Sequence, residues 1–182
     1  MRILGLSGSL RRGSHNTSLL RAAAELLPSG VSLEVFDDLR DLPHYDADLD
    51  GPDAPEVAVR LREALDDADG VLIATPEYNG SIPGVLKNLL DWASRPFPGN
   101  CLLDKPVAVI GASTGYFGGA WAQADLRRVL TVIGACVLDA ELRIPAAHTA
   151  FAEAGGLRDP AHAAALREVV RELVAEPLPC AA

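Results

Sequence analysis

Short apolar runs alternate along the chain with longer stretches in which apolar residues recur every three to four positions. Residues 2–7 (R-I-L-G-L-S), 70–74 (G-V-L-I-A) and 106–111 (P-V-A-V-I-G) are apolar runs of strand length, the pattern of strands buried on both faces. Residues 31–36 alternate apolar and polar, as a less buried strand does, and 136–138 give a short fifth strand. Helical stripes lie between them. Residues 16–27 place Leu19, Leu20, Ala23 and Leu26/Leu27 on one face, and Pro28, Ser29 and Gly30 stop the helix. Val57, Leu61 and Leu65 mark a helix over 56–67. The stripe Ile82, Val85/Leu86, Leu89/Leu90 and Ala93 marks one over 81–93, with Ser81 as N-cap and Pro83 in the first turn. Leu126, Val129/Leu130 and Ile133 mark a helix over 119–133, and Leu166, Val169/Val170 and Leu173 one over 160–175. Residues 37–55 form a long acidic loop of the kind that is often functional, and 176–182 read as a frayed tail.

Five strands alternating with helices imply an α/β fold: parallel strands, right-handed crossovers and helices on both faces of the sheet. The 182 residues suit one domain spanning 1–182. Five strands in this length favour the order 2-1-3-4-5, although a truncated Rossmann sheet would read similarly.

Composition narrows the function. At 49% hydrophobic the chain is not a disordered segment. The net charge of −9 disfavours nonspecific nucleic-acid binding, which needs basic patches on phosphate. No apolar stretch approaches the roughly 20 residues of a membrane span. The N-terminus is too short for a signal peptide and reads as a strand, so a cytoplasmic protein is expected. Cys101, Cys136 and Cys180 form no C-x-x-C pair or metal-like cluster and are expected as reduced thiols, Cys136 in the core.

Three loops carry the candidate chemistry. The first strand runs through Gly8 to Thr17 directly into a helix, where free backbone N–H groups and the helix dipole attract an anion. Ser9, Ser14 and Thr17 add hydroxyls, Asn16 an amide and Arg11 a fork suited to phosphate oxygens. The glycine spacing fails the Rossmann G-x-G-x-x-G, Ser14 stands where a Walker A loop needs lysine, and no cysteine nucleophile is present. A terminal phosphate bound without hydrolysis remains; the plainer reading is a capped helix with solvated arginines. Pro76, Glu77, Tyr78, Asn79 and Gly80 leave the third strand beside that loop in a 2-1-3-4-5 sheet, with Gly80 allowing backbone to approach a flat ligand. For Glu77 the plainer reading is a structural hydrogen bond. The fourth strand opens onto Ser113, Thr114 and Gly115, followed by Gly118 and Gly119, which equally serve the turn.

The strings G-S-L-R-x-G-S-x-N (8–16) and P-E-Y-N-G-S-I-P-G-x-L-K-N (76–88) closely resemble the NAD(P)H-dependent FMN reductases of flavodoxin-like fold, a family that includes quinone, chromate and azo reductases. The resemblance spans residues 2–135. It implies a flavodoxin-like three-layer sandwich. It further implies that Ser9, Arg11, Ser14, Asn16 and Thr17 hold the FMN phosphate. Pro76, Glu77, Tyr78, Asn79 and Gly80 would bind the ring system, largely through backbone atoms. Ser113, Thr114 and Gly115 would meet its other polar edge. The implied activity is ping-pong: NADPH or NADH delivers hydride to FMN at a shared site, and two electrons pass to a quinone, another flavin, an azo compound or a metal oxyanion. The resemblance implies no side-chain catalyst and no metal. Homodimers or homotetramers are usual in such proteins, and the 81–93 helix with Trp92 is either core or part of that contact. A flavodoxin-like electron carrier without NAD(P)H reactivity is the alternative of a different class. A Rossmann enzyme using Asp37 or Asp38 on a ribose is weakened by the glycine spacing.

Overall fold

The computed structural model describes residues 1–153 and 155–175, and a parallel sheet runs through its centre. The strands are β1 (Arg2–Ser7), β2 (Ser32–Val35), β3 (Gly70–Ala74), β4 (Pro106–Ala112) and β5 (Cys136–Ile144). They pair in the order β2-β1-β3-β4-β5, every pair parallel. The helices are α1 (His15–Ala24), α2 (Glu56–Asp66), α3 (Gly84–Ala93), α4 (Ala120–Ile133) and α5 (Pro160–Val174). The architecture is the flavodoxin-like three-layer sandwich expected from the β/α alternation.

The alternation of side chains along each strand builds two cores. Leu4, Leu6, Val71, Ile73, Val107 and Val109 point to the face covered by α2, α3 and α4. Ile3, Leu72, Ala74, Ala108 and Ile110 point to the face covered by α1 and α5. Both faces of β3 are therefore buried, which is why its sequence reads as an unbroken apolar run.

Several boundaries differ from the sequence reading. The third helix starts at Gly84, with Pro83 at its N-cap position and no side-chain cap. The Ser81 hydroxyl instead donates to the Asp125 carboxylate at 2.6 Å. Strand β5 spans nine residues rather than three. Its register against β4 shifts between Val107 and Val109, and a chain interrupted by Asp139, Glu141 and Arg143 hid its continuation. The half-buried Arg127 guanidinium fills that irregularity, donating to the carbonyls of Leu138 at 2.5 Å and Ala140 at 2.8 Å. Burial holds the Arg127 pKa below its ordinary value, against the raising effect of Glu141.

The 37–55 segment is an ordered cover. It contains two short 3-10 turns, Asp38–Asp41 and Ala47–Leu49, and buries Leu39 and Leu42. Asn88 and the Trp92 indole N–H both donate to the Pro43 carbonyl at 2.8 Å. Trp92 is completely buried within the chain, so the core reading of that residue holds and it cannot face a partner. Cys101 is a free thiol whose pKa burial pushes up to about 11, whereas Cys136 is disulfide-bonded, against the expectation of reduced thiols. The tail expected over 176–182 lies outside the described residues. Among those described, no helix is long and apolar enough to cross a membrane.

Candidate functional site

The carboxyl ends of β1, β3 and β4 bring the three predicted loops together. Gly8 N–H donates to the Ala74 carbonyl at 2.9 Å, and Thr75 N–H to that of Ile110 at 2.9 Å, so strand pairing continues to the mouth of each loop. A Cβ on Gly8 would lie 3.1 Å from Pro76 Cδ and 3.2 Å from Leu86 Cδ2. The missing side chain is what lets the first loop pack directly against the third-strand loop.

In the first loop, most of the short polar side chains are bound within the protein. Ser14 is the N-cap of α1, its Oγ accepting from Thr17 N–H at 3.2 Å. The Thr17 hydroxyl donates to Ser7 Oγ at 2.9 Å. Asn16 is buried, accepting from the Ala112 N–H at 2.9 Å and donating to the Ala112 carbonyl at 3.0 Å. It thus ties the start of α1 to the end of β4. Ser9 is half-buried and Arg11 is exposed. Among the described residues, no protein acceptor meets the N–H groups of Arg11, Arg12, Gly13, His15 and Asn16. Arg40, from the 37–55 cover, donates to the Leu10 carbonyl at 2.5 Å. His15 stacks on Phe151 at 6.0 Å. Burial first, then the charges of Arg11 and His148, hold the His15 pKa below the usual imidazole value. The loop therefore presents backbone donors inside a positive local field.

The third-strand loop closes in a two-residue turn. Tyr78 and Ser81 exchange backbone hydrogen bonds of 3.1 and 3.2 Å around Asn79 at φ 55° and Gly80 at φ 74°. Positive φ at both central positions makes this a type I′ turn, for which Asn-Gly is the favoured pair. The N–H groups of Glu77, Asn79 and Gly80 meet no protein acceptor among the described residues. Pro76 is buried, while Tyr78 is half-exposed and stands at the rim. The Glu77 carboxylate turns away from the loop, accepting from the N–H groups of Trp121 at 2.9 Å and Ala122 at 3.1 Å. It caps the first turn of α4, whose own N-cap residue is Gly119 with no side chain to offer.

The fourth-strand loop is held by β5. Ser113 N–H donates to the Ile144 carbonyl at 3.0 Å, and its own carbonyl accepts from Ala147 at 3.0 Å. Ser113 Oγ accepts from Gly115 N–H at 3.2 Å. Thr114 and Gly115 are exposed at the mouth. Gly118 has φ 59°, and a Cβ there would lie 3.0 Å from Arg143 Cβ and 3.1 Å from the Ile144 backbone nitrogen.

All thirteen predicted residues thus belong to three adjoining loops, yet Ser14, Asn16, Thr17, Glu77 and Ser113 have their side chains engaged by the protein. Sequence reasoning passed over Arg40 and Gln123. Gln123 is buried beside Gly111, its Nε2 lying 3.4 Å from the Gly118 carbonyl and its Oε1 without a partner among the described residues. Nothing in sequence spacing announces either residue. The glycine before α4 is a signal that its first turn needs an outside acceptor. Chemically, the free N–H groups at α1 suit a phosphate, and those around Glu77–Gly80 suit the acceptor-rich edge of a flat ring. The donor set fits FMN on both counts.

Comparison with known proteins gives the family. The profile of the NADPH-dependent FMN reductase family matches residues 1–149. The chain is 44% identical over 160 residues to an NAD(P)H-dependent FMN reductase of Pseudomonas aeruginosa, covering 87% of this chain and 85% of that protein. It is 51% identical over 129 residues to a 2-hydroxy-1,4-benzoquinone reductase of a Burkholderia species, covering 71% and 69%. The solved structure of FerB, a flavoenzyme NAD(P)H:(acceptor) oxidoreductase of Paracoccus denitrificans, superposes with a TM-score of 0.86 at 38% identity, covering 95% and 94%. With the profile spanning most of its length, the chain belongs to the NADPH-dependent FMN reductase family.

Proposed function

We propose that the protein is an NAD(P)H-dependent oxidoreductase working through FMN held across the three loops, with a quinone, another flavin, an azo compound or a metal oxyanion as acceptor. When bound, FMN supplies the two-electron chemistry, taking hydride from the nucleotide and returning it to the acceptor in alternating half-reactions. The chain's own residues bind and orient. The N–H groups of residues 11–16, with Ser9 and Arg11, hold the phosphate at the positive end of α1. Ser14 and Thr17 shape that cradle, and Asn16 fixes it to β4. The N–H groups of Glu77, Asn79 and Gly80 meet one polar edge of the ring, and Thr114 and Gly115 the other, with Ser113 bracing that loop. No titrating side chain is needed at the reacting atoms. We place the protein in the cytoplasm as a homodimer or homotetramer.

The observation that carries this reading is the convergence of free backbone donors at α1 with those around Glu77–Gly80, joined by the Gly8–Pro76 packing. The test is anaerobic addition of NADPH, then NADH, to FMN-loaded protein while flavin absorbance is followed. Rapid bleaching is expected, and reoxidation by 1,4-benzoquinone should follow in a separate phase. Flavin that binds but does not bleach with either nucleotide would leave an electron carrier instead.

A further inference from the structure

The roots of the third-strand and fourth-strand loops meet at one buried side chain, Gln123, which is 1% exposed. It stands in the first turn of α4. The N–H groups of the two residues before it, Trp121 and Ala122, are held by the Glu77 carboxylate of the third-strand loop. Its amide reaches back under the fourth-strand loop. A Cβ on Gly111 would lie 2.6 Å from Gln123 Nε2 and 2.8 Å from the Thr75 carbonyl oxygen. One on Gly119 would lie 4.0 and 3.7 Å from the same two atoms. Two glycines, one near the end of β4 and one at the N-cap of α4, thus make room for an amide. It lies beside the carbonyl from which the third-strand loop departs.

The polar groups around that amide are left open. Gln123 Oε1 has no partner among the described residues, and Nε2 lies a long 3.4 Å from the Gly118 carbonyl. Thr75 is completely buried, and no protein donor meets its carbonyl among the described residues. The Ala112 N–H, which strand pairing would bring to it, goes to Asn16 instead. Gly118 and Gly119 are buried too, and their N–H groups meet no protein acceptor among the described residues. Two acceptors without donors therefore lie beside two donors without acceptors. Native chains keep few such groups, and each one has a cause. An amide both donates and accepts, so Gln123 alone can serve both kinds: Nε2 for the Thr75 carbonyl, Oε1 for a glycine N–H.

We infer that Gln123 is a positioning residue for the flavin ring. Ring binding between the two loops draws Thr75 and the Gly118–Gly119 backbone onto the Gln123 amide and closes bonds that stay open without flavin. Contacts made in only one of two states favour whatever binds that state, so Gln123 strengthens flavin binding without touching the flavin. This rests on the proposed FMN-dependent function. It assigns the tightening of the ring site to a residue that belongs to none of the three loops.

The experiment compares the flavin-free full chain as wild type and as Gln123→Met, a side chain of similar length without an N–H donor or a strong acceptor. FMN and riboflavin are each titrated by quenching of flavin fluorescence. Urea unfolding is followed without flavin, and amide hydrogen exchange at Gly118 and Gly119 is measured with and without FMN. The expected rise in Kd is about three- to tenfold, the size of roughly one hydrogen bond, and equal for both flavins because the phosphate cradle is untouched. The unfolding midpoint without flavin should hold or rise, because the groups removed are unpaired in that state. Exchange at Gly118 and Gly119 should slow on FMN binding in the wild type and not in Gln123→Met. An unchanged Kd overturns the proposal. So does a variant that loses stability without flavin or fails to fold, because the amide then belongs to the scaffold of the flavin-free chain. A loss confined to FMN assigns the effect to the phosphate end and overturns it as well. A wild type that binds neither flavin overturns this proposal and the functional reading together. Wild-type FMN that NADPH does not bleach overturns the functional reading alone.

Discussion

The loop after β1 and the loop after β4 approach the same site by opposite means. The first is rich in short polar side chains, and most of them are used to build the loop. Ser14 caps α1, Thr17 meets Ser7, and Asn16 holds Ala112 by both of its backbone groups. What it leaves free is backbone. The fourth-strand loop is shaped by glycine and strand β5, and it presents exposed side chains instead, Tyr116 and Phe117 among them. The contrast shows that a residue type suited to a ligand can be needed first by the chain itself. Ligand contact then falls to whatever groups the scaffold has not engaged.

Asn16→Ala tests this contrast most severely. It leaves the buried N–H and carbonyl of Ala112 unpaired, and at about 1–3 kcal/mol for each such group the expected loss is about 3 kcal/mol in urea unfolding of the flavin-free protein. A loss below about 1 kcal/mol would mean that Asn16 is not part of the scaffold. Gly118→Ala comes next, at about 2 kcal/mol, because φ 59° and contacts of 3.0–3.1 Å with Arg143 and Ile144 both oppose a Cβ. Gly13→Ala, with nothing within 4 Å of its Cβ, should change stability by less than about 0.5 kcal/mol. Equal effects at Gly118 and Gly13 would erase the difference between the loops. Ser14→Ala removes a helix cap and should cost about 1 kcal/mol, whether or not phosphate is present.

The smallest effect concerns pH. The His15 pKa is lowered in the folded chain, so the unfolded chain binds more protons as pH falls through the ordinary imidazole value near 6.5. His15 therefore contributes full stability above that value. The contribution declines below it until the lowered folded pKa is reached. His15→Gln should flatten the decline in flavin-free unfolding stability between neutral pH and about pH 5. An unchanged slope would remove His15 from the positive field of the first loop.

The parts of the fold that were legible follow one physical rule: strands buried on both faces, such as β3 and β4, are continuous apolar runs. Strand β5 lies at the sheet edge, where charged residues are tolerated. Its continuation through Asp139, Glu141 and Arg143 therefore looked like loop. The start of α3 was misplaced because Ser81 has the right chemistry for a cap, but its hydroxyl finds Asp125, 44 residues away. At the site, the loops and their neighbourhood could be read from strand order and glycine placement. The division of labour inside them could not. Glu77 reaching α4, Asn16 reaching β4 and Arg40 reaching Leu10 are long-range contacts that carry no local spacing.

Arg127 has a consequence for how the outer strand stays attached to the sheet. A register shift leaves backbone carbonyls without ladder donors, and each such group kept from water costs about 1–3 kcal/mol. Leu138 and Ala140 have no register partner in β4, and Arg127 of α4 donates to both of their carbonyls. A helix side chain thereby supplies the donors that the neighbouring strand does not, and β5 runs on to Ile144 beside the flavin loops.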